Sequence, residues 1–279
     1  MTAIKIAIQG IRGAFHEAAA RKYFGDGIEI IECDTFEALC QTLHSGQADE
    51  AIMAIENTIA GSILSNYSLI HTYNFHVTGE VYLNIRMHLL TLPGVTLDDI
   101  KYVESHPMAL MQCQRFLKNQ LPSAICRESN DTAESARQLQ TAQDKSGAVI
   151  CSAICAELYD LEIKAAGIET HQQNFTRFLV LSPEAKSISI PGKASLRIQL
   201  GNEIGSLSDI LAVFKRNNIN LSKIQSIPIV GLPYEYNFHI DVEWEQYELY
   251  SKAIEAVRAK SRSLDVLGEY TKGTFELNK

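Results

Sequence analysis

The chain has 279 residues, 46% of them apolar, which is enough for more than one hydrophobic core and suits two domains better than one. A formal net charge of -8 argues against nucleic acid or an anionic membrane surface as a partner. No apolar stretch approaches the roughly 20 residues of a spanning helix. The six cysteines form no CxxC pair, so the expectation is a cytoplasmic protein with reduced thiols.

Within residues 1–182, short runs rich in Ile and Val alternate with helical patterns. Strands are expected at Ile4–Gln9, Glu29–Cys33, Ala51–Ile55, Val81–Leu90, Tyr102–Glu104, Ser123–Cys126, Ala148–Cys151 and Phe178–Leu181. Helices are expected at Ala14–Phe24, Phe36–Leu43, Ile63–Tyr73, Pro107–Asn119, Thr132–Thr141 and Ser152–Tyr159. This alternation predicts α/β sheets covered by helices. The long strand Val81–Leu90 falls mid-chain, where a doubly wound domain would cross from one lobe to another, so two lobes with a cleft are expected.

Residues 183–193 read as a linker, with two prolines, a glycine and no helical period. Over 194–279 the pattern becomes βαββαβ, the ferredoxin-like arrangement, with one open sheet face. Its first helix carries the stripe Leu207, Ile210, Leu211 and Phe214, and Tyr236 to Val242 alternates as a strand does.

The chemistry is expected where strands run into helices. Five such junctions stand out: Gly10-Ile-Arg-Gly13, Glu56 to Ser62, Ser105-His-Pro107, Asn130-Asp-Thr132 and Cys151-Ser152. Helix starts offer backbone N–H groups and a positive dipole end, and in α/β folds they gather where ligands bind. Together they suit an anion with two charged ends. In Asn174-Phe-Thr-Arg-Phe178, Arg177 is a natural carboxylate partner and Thr176 places a neutral hydroxyl beside it. GxGxxG is absent, which speaks against a dinucleotide enzyme, and no histidine or cysteine spacing suits a metal.

The runs Ile55-Glu-Asn-Thr-Ile-Ala-Gly-Ser62, Ser105-His-Pro-Met-Ala-Leu-Met-Gln-Cys113, Asn130-Asp-Thr-Ala133 and Asn174-Phe-Thr-Arg-Phe178 resemble those of prephenate dehydratases, in the same order. The segment Ile219-Asn-Leu-Ser-Lys-Ile-Gln-Ser-Ile-Pro228 is similar to the ACT regulatory domain fused to them. The resemblance implies a catalytic domain over 1–182 of the two-lobed periplasmic-binding-protein type and an ACT domain over 194–279. It implies conversion of prephenate to phenylpyruvate in phenylalanine biosynthesis, with no metal or organic cofactor. Thr176 would be the catalytic residue. Substrate contacts would come from Asn57, Thr58, Gly61, His106, Thr132, Ser152, Asn174, Arg177 and Phe178. Phenylalanine would inhibit by binding near Gly205, Ser206, Leu207, Asn220, Leu221 and Ser226, at the seam of a homodimer or homotetramer.

The chain departs from the family pattern at several points. Gly13-Ala-Phe-His16 stands where Gly-Thr-Phe-Ser is common, and Met108 follows His106-Pro107 where Gln is common. Ile204-Gly-Ser-Leu207 and Gln225-Ser-Ile-Pro228 replace Pro-Gly-Ala-Leu and Glu-Ser-Arg-Pro. Arogenate, the amino-bearing analogue, is the alternative substrate. A solute-binding module is the alternative from another class, and it would call for a secretory signal.

Overall fold

The computed structural model describes residues 3–229 and 231–275. The chain opens with β1 (Ile4–Gln9), α1 (Phe15–Phe24), β2 (Ile28–Cys33), α2 (Phe36–His44), β3 (Glu50–Asn57), β4 (Gly61–Ser62), α3 (Leu64–Thr72) and β5 (His76–Asn84). It continues with β6 (His88–Thr91), β7 (Tyr102–Ser105), α4 (Pro107–Gln112), α5 (Gln114–Gln120), β8 (Ile125–Glu128), α6 (Thr132–Ala142), β9 (Gly147–Cys151), α7 (Ile154–Leu158) and β10 (Glu162–Ala166). After β11 (Phe175–Ser182) come β12 (Lys193–Gln199), α8 (Ser206–Arg216), β13 (Asn220–Pro228), β14 (Tyr236–Glu243), α9 (Tyr247–Arg258) and β15 (Ser263–Tyr270).

The described chain divides into two compact units. The first holds residues up to Ser62, Val81–Phe178 and Phe275, and the second holds Ile63–Glu80 and Leu179–Thr274. Most strands of two sheets belong to the first unit. One has the order β2-β1-β3-β11-β5, with β4 hooked onto β3. β1 lies parallel to β2 and β3, with Ala7 opposite Ile31 and Ala51. Strands covered on both faces must be apolar throughout, and Ile6, Ala7, Ile8, Ala51, Ile52 and Met53 are fully buried. The other sheet has the order β10-β6-β9-β7-β8. Leu89, Leu90, Val103, Ala136, Ala148 and Ile150 anchor its core.

The chain passes between the sheets twice, out between β5 and β6 and back between β10 and β11. The expected single strand Val81–Leu90 is therefore two strands, one in each sheet. The break falls where the return crossing takes the backbone donors: Ile85 N–H donates to Asn174 O at 2.6 Å, and Met87 N–H donates to the Glu169 carboxylate at 2.9 Å. Arg86 pairs with the same Glu169 at 2.8 Å. Both sides of the break are buried, so hydropathy does not reveal it. The expected helix Pro107–Asn119 is likewise two, interrupted at Cys113 (φ -97°, ψ 7°). β10, a polar edge strand, was not expected at all. β11 starts at Phe175 rather than Phe178 and lies between β3 and β5. That position places Thr176 and Arg177 inside a central strand and not at its rim.

In the second unit an antiparallel sheet of order β13-β14-β12-β15 joins α8 and α9 in the expected βαββαβ order. Leu196, Ile198, Ile210, Phe214, Ile240, Val242, Ile254 and Val257 fill the helix side. The face expected to be open is not bare. It carries buried polar groups packed against residues 63–80 of the same unit. The Tyr67 and His239 rings meet edge to face at 4.3 Å. The Ser195 hydroxyl donates to Asp241 at 2.6 Å and lies 2.7 Å from the Tyr270 hydroxyl. Lys193 Nζ, on a side chain only 2% exposed, pairs with the fully buried Glu80 carboxylate at 3.1 Å. Among the described residues no helix is long and apolar enough to cross a membrane.

The Lys193–Glu80 pair generates a stability prediction. Removing one member of a buried pair strands the other charge, at a cost of about 3–5 kcal/mol. Glu243, 3.5 Å from Lys193 Nζ, softens this, so Glu80→Ala is expected to lose about 3 kcal/mol in urea denaturation. The double change Glu80→Met, Lys193→Met should lose clearly less. Equal losses in the two proteins would show that the ion pair is not what the face depends on.

Candidate active site

The turn after β3 is organised by one side chain. Asn57 Oδ1 accepts from the backbone N–H groups of Ile59 and Ala60, both at 2.9 Å, which folds the chain back into β4. Gly61 completes the reversal at φ 84°, a conformation costly for any residue with a Cβ. Two backbone donors of the Glu56 to Ser62 junction are thus taken internally.

The two backbone donors also fix which end of the Asn57 amide is which, since an N–H can only meet the oxygen. The Nδ2 end therefore faces β11. It donates to Asn174 Oδ1 at 2.7 Å and to Thr176 Oγ1 at 3.0 Å, with Phe175 O at 3.3 Å. Asn174 Nδ2 donates onward to Gln112 Oε1 at 2.9 Å, at the end of α4. Thr58 clamps the same strand: its N–H donates to Phe175 O at 2.9 Å, and its hydroxyl accepts from Phe175 N–H at 3.0 Å. The chain of bonds has a direction. Thr176 Oγ1 is an acceptor from the protein side, which leaves its own proton to be donated elsewhere.

Neighbouring strand residues point to opposite faces. Thr176 and Phe178 share one face of β11, and Phe175 and Arg177 share the other. Arg177, 4% exposed, therefore does not stand beside Thr176 as the sequence suggested. His16 of α1 packs edge-on against Phe178, with centroids 5.0 Å apart, and tilts against Phe36 at 5.6 Å. Its Nε2 accepts from Ala54 N–H at 3.4 Å, so the neutral ring carries its proton on Nδ1. Burial lowers its pKa from 6.5 to about 3.

The remaining junctions brace one another across the two sheets of this unit. Gly10 and Gly13 both have left-handed φ, 95° and 94°. A Cβ would come within 2.8 Å of Asp131 Oδ2 at the first and 2.9 Å of Cys155 Sγ at the second. Arg12 N–H donates to Glu32 at 2.8 Å and Gly13 N–H to Glu17 at 2.7 Å. Ser152 donates its hydroxyl to Gly13 O at 2.8 Å, and Tyr159 donates to Arg12 O at 2.7 Å. Asp131 caps α6 by accepting from Ala133 and Glu134. Burial raises its pKa, opposed by those two bonds and by nearby His106. His106 caps α4 through Nδ1, which accepts from Met108 N–H at 3.2 Å. Thr132, 9% exposed, opens α6 behind its cap. These starts are thus largely self-capped and are not a bare ring of anion-binding helix ends. Ser152 in particular spends its hydroxyl proton on the brace.

The residues expected to take a regulatory ligand lie in the second unit. Gly205, at φ 88°, caps α8, Ser206 donates to Gly201 O at 3.0 Å, and Leu207 packs against the helix-side core. Asn220, Leu221 and Ser226 lie on β13, an outer strand. An open pocket of about 560 Å³ is lined by Asn220 and Leu221 with Leu211, Lys215 and Trp244; Gly205, Ser206, Leu207 and Ser226 are outside its wall. Among the described residues no group of three His, Cys, Asp or Glu is placed to hold a metal ion.

A family model described as prephenate dehydratase matches residues 6–186. The chain belongs to the prephenate dehydratase family. A relative from Arabidopsis thaliana, described as the chloroplastic arogenate dehydratase/prephenate dehydratase 2, is 35% identical, with the alignment covering 98% of this chain and 74% of that protein. A prephenate dehydratase from Arthrobacter aurescens, solved in complex with L-Phe, is similar with a TM-score of 0.87 and 27% identity over 96% of this chain and 90% of that one. A structure described as a novel type of quorum-quenching acylase matches equally, with a TM-score of 0.87 and 27% identity over 96% of this chain and 97% of that one. Within the prephenate dehydratase frame, Gln112 is the polar group that sequence reasoning passed over. It lies in a quoted run, yet nothing in its spacing singles it out, and only the fold brings it to Asn174.

The low pKa of His16 carries a sign. The native ring stays neutral while the unfolded ring gains a proton below about pH 6.5. Stability is therefore lost as pH falls from about 6.5 toward about 3. The residue as a whole is half-buried, so solvent screens part of the effect. Between pH 7 and 4.5 the wild type is expected to lose on the order of 2 kcal/mol more than His16→Gln in urea denaturation. Parallel losses would mean that His16 is not the group that titrates.

Proposed function

We propose that this chain catalyses the decarboxylating dehydration of prephenate to phenylpyruvate, in the cytoplasm and without metal or organic cofactor, and that phenylalanine inhibits it. The supporting observation is the direction of the hydrogen bonds at Thr176. In the reaction the bond from the ring to its carboxylate breaks and CO2 leaves. The electron pair enters the ring, which becomes aromatic as the hydroxyl departs. The departing hydroxide takes one proton from solvent water and so leaves as water. Aromatisation supplies the driving force, so the protein has to hold the substrate and help one oxygen leave. A hydroxyl whose lone pair is already engaged by Asn57 presents its proton outward, to the leaving oxygen. A threonine is too weak an acid to act by ionisation, so Thr176 acts as a positioned donor. Asn57, Thr58 and Asn174 hold it in place, and Gly61 permits the turn that aims Asn57.

The fold alone does not settle the reaction, because the same architecture serves a protein described as an acylase. Arogenate differs from prephenate in carrying an ammonium where prephenate has a ketone, and relatives carry both descriptions. We assign residues 1–182 to catalysis and 194–279 to an ACT-type sensing domain working in a homodimer or homotetramer. One observation supports the latter: the βαββαβ order has β13 as an outer strand.

Purified enzyme is expected to turn over prephenate with a higher kcat/KM than arogenate when the two are assayed side by side. The reverse order would move the assignment to arogenate. Thr176→Ala is expected to fold normally and to lose about 100- to 1000-fold in kcat, the cost of one transition-state donor. Retention of half the turnover would remove Thr176 from the mechanism. Titration of the full chain with phenylalanine, with activity followed in parallel, is expected to show heat and about 5- to 150-fold inhibition. Neither heat nor inhibition at millimolar phenylalanine would make the C-terminal domain structural.

A further inference from the structure

The chain does not end with β15. Lys272 pairs with Glu243 at 2.6 Å, and Gly273 N–H donates to Glu80 at 2.9 Å, both within the second unit. Two residues later Phe275 belongs to the first unit. Its ring lies 3.9 Å from that of Tyr82 on β5, at 34°, and 5.5 Å from that of Phe175, at 84°. The Phe175 pair is edge-to-face at a distance where such pairs are attractive and specific in angle, and the Tyr82 pair is a closer, tilted contact.

Phe175 is the residue before Thr176. Its backbone is held on both sides by Thr58 and touched by Asn57, while its side chain turns to the face away from Thr176. Phe275 is 52% exposed, so it adds little to the core. We propose that Phe275 is a positioning residue for the dehydration: it clamps Phe175 against Tyr82 from the far side of β11 and thereby fixes the strand that aims the Thr176 hydroxyl. The proposal rests on the role assigned to Thr176.

The test compares Phe275→Ala, Phe275→Leu and Phe275→Tyr in the full chain, assayed with whichever of prephenate or arogenate the wild type turns over better. Phe275→Ala is expected to lower kcat about three- to tenfold, with KM and melting temperature near wild type. Phe275→Leu should fall between, and Phe275→Tyr, which keeps the ring, should restore kcat. Amide hydrogen exchange gives a readout independent of substrate. The Phe175 and Thr58 amides should exchange about tenfold faster in Phe275→Ala and at the wild-type rate in Phe275→Tyr. Wild-type kcat and exchange in Phe275→Ala would overturn the proposal. So would a kcat loss that the tyrosine variant shares, or one that follows a general fall in melting temperature. If neither substrate is turned over, the Thr176 reading fails on that ground, and exchange alone decides whether Phe275 holds β11.

Discussion

The candidate site depends on the orientation of one amide. Asn57 has an oxygen and a nitrogen that differ little in size, and only its partners decide which way it faces. The N–H groups of Ile59 and Ala60 make that decision, because both can only donate. From there each bond follows: Asn57 to Thr176 and Asn174, and Asn174 to Gln112. A hydroxyl with its lone pair taken becomes a donor to whatever lies in front of it. The turn at Gly61 is therefore as much a part of this arrangement as the threonine. Buried networks of this kind are strong when every member is satisfied and costly when one is not.

The fold supplies this arrangement by crossing twice between sheets. Asn174 lies on the return crossing, and its carbonyl accepts from Ile85 on the outward one. Gln112 arrives on α4 from the other sheet. Within the first unit the Gly10–Gly13 loop is tied by Ser152 and Tyr159 to the second sheet. The polar groups at the junctions are thus used mainly to hold the two sheets in register. Fewer backbone donors remain uncapped at these helix starts than the sequence suggested, and under the proposed function the Thr176 face of β11 is the centre of substrate recognition.

The periodic parts of this architecture were legible in the sequence. The βαββαβ order of the C-terminal stretch followed from its hydrophobic stripes, and Thr176 and Asn57 stood out as polar residues where strands meet turns. What failed to show has physical causes. Residues 81–90 read as one strand because both sides of the break at 85–87 are buried, and the break is set by hydrogen bonds to residues far along the chain. Arg177 was paired with Thr176 because they are adjacent, yet adjacency in a strand means opposite faces. The sheet face read as open carries Lys193, Ser195, His239 and Asp241, residue types that look solvated until Tyr67 and Glu80 are packed against them. Helix starts read as anion sites hold their own caps, since an acidic or histidine cap competes with any ligand for the same N–H groups. Phe275 lies beyond the last strand, where no pattern marks it.

The central claim, that the amide of Asn57 turns the Thr176 hydroxyl outward, is tested most directly by Asn57→Asp. The carboxylate has the same shape, and one oxygen still accepts from Ile59 and Ala60, so the turn should persist. The other oxygen can only accept, so the Thr176 proton would turn inward to meet it. The account expects kcat to fall about 100-fold or more with circular dichroism unchanged, while the melting temperature falls because Asn174 Oδ1 and Phe175 O lose the same amide donor. A folded Asn57→Asp enzyme with kcat within threefold of wild type would contradict it, because the hydroxyl would then be donating regardless of what stands behind it.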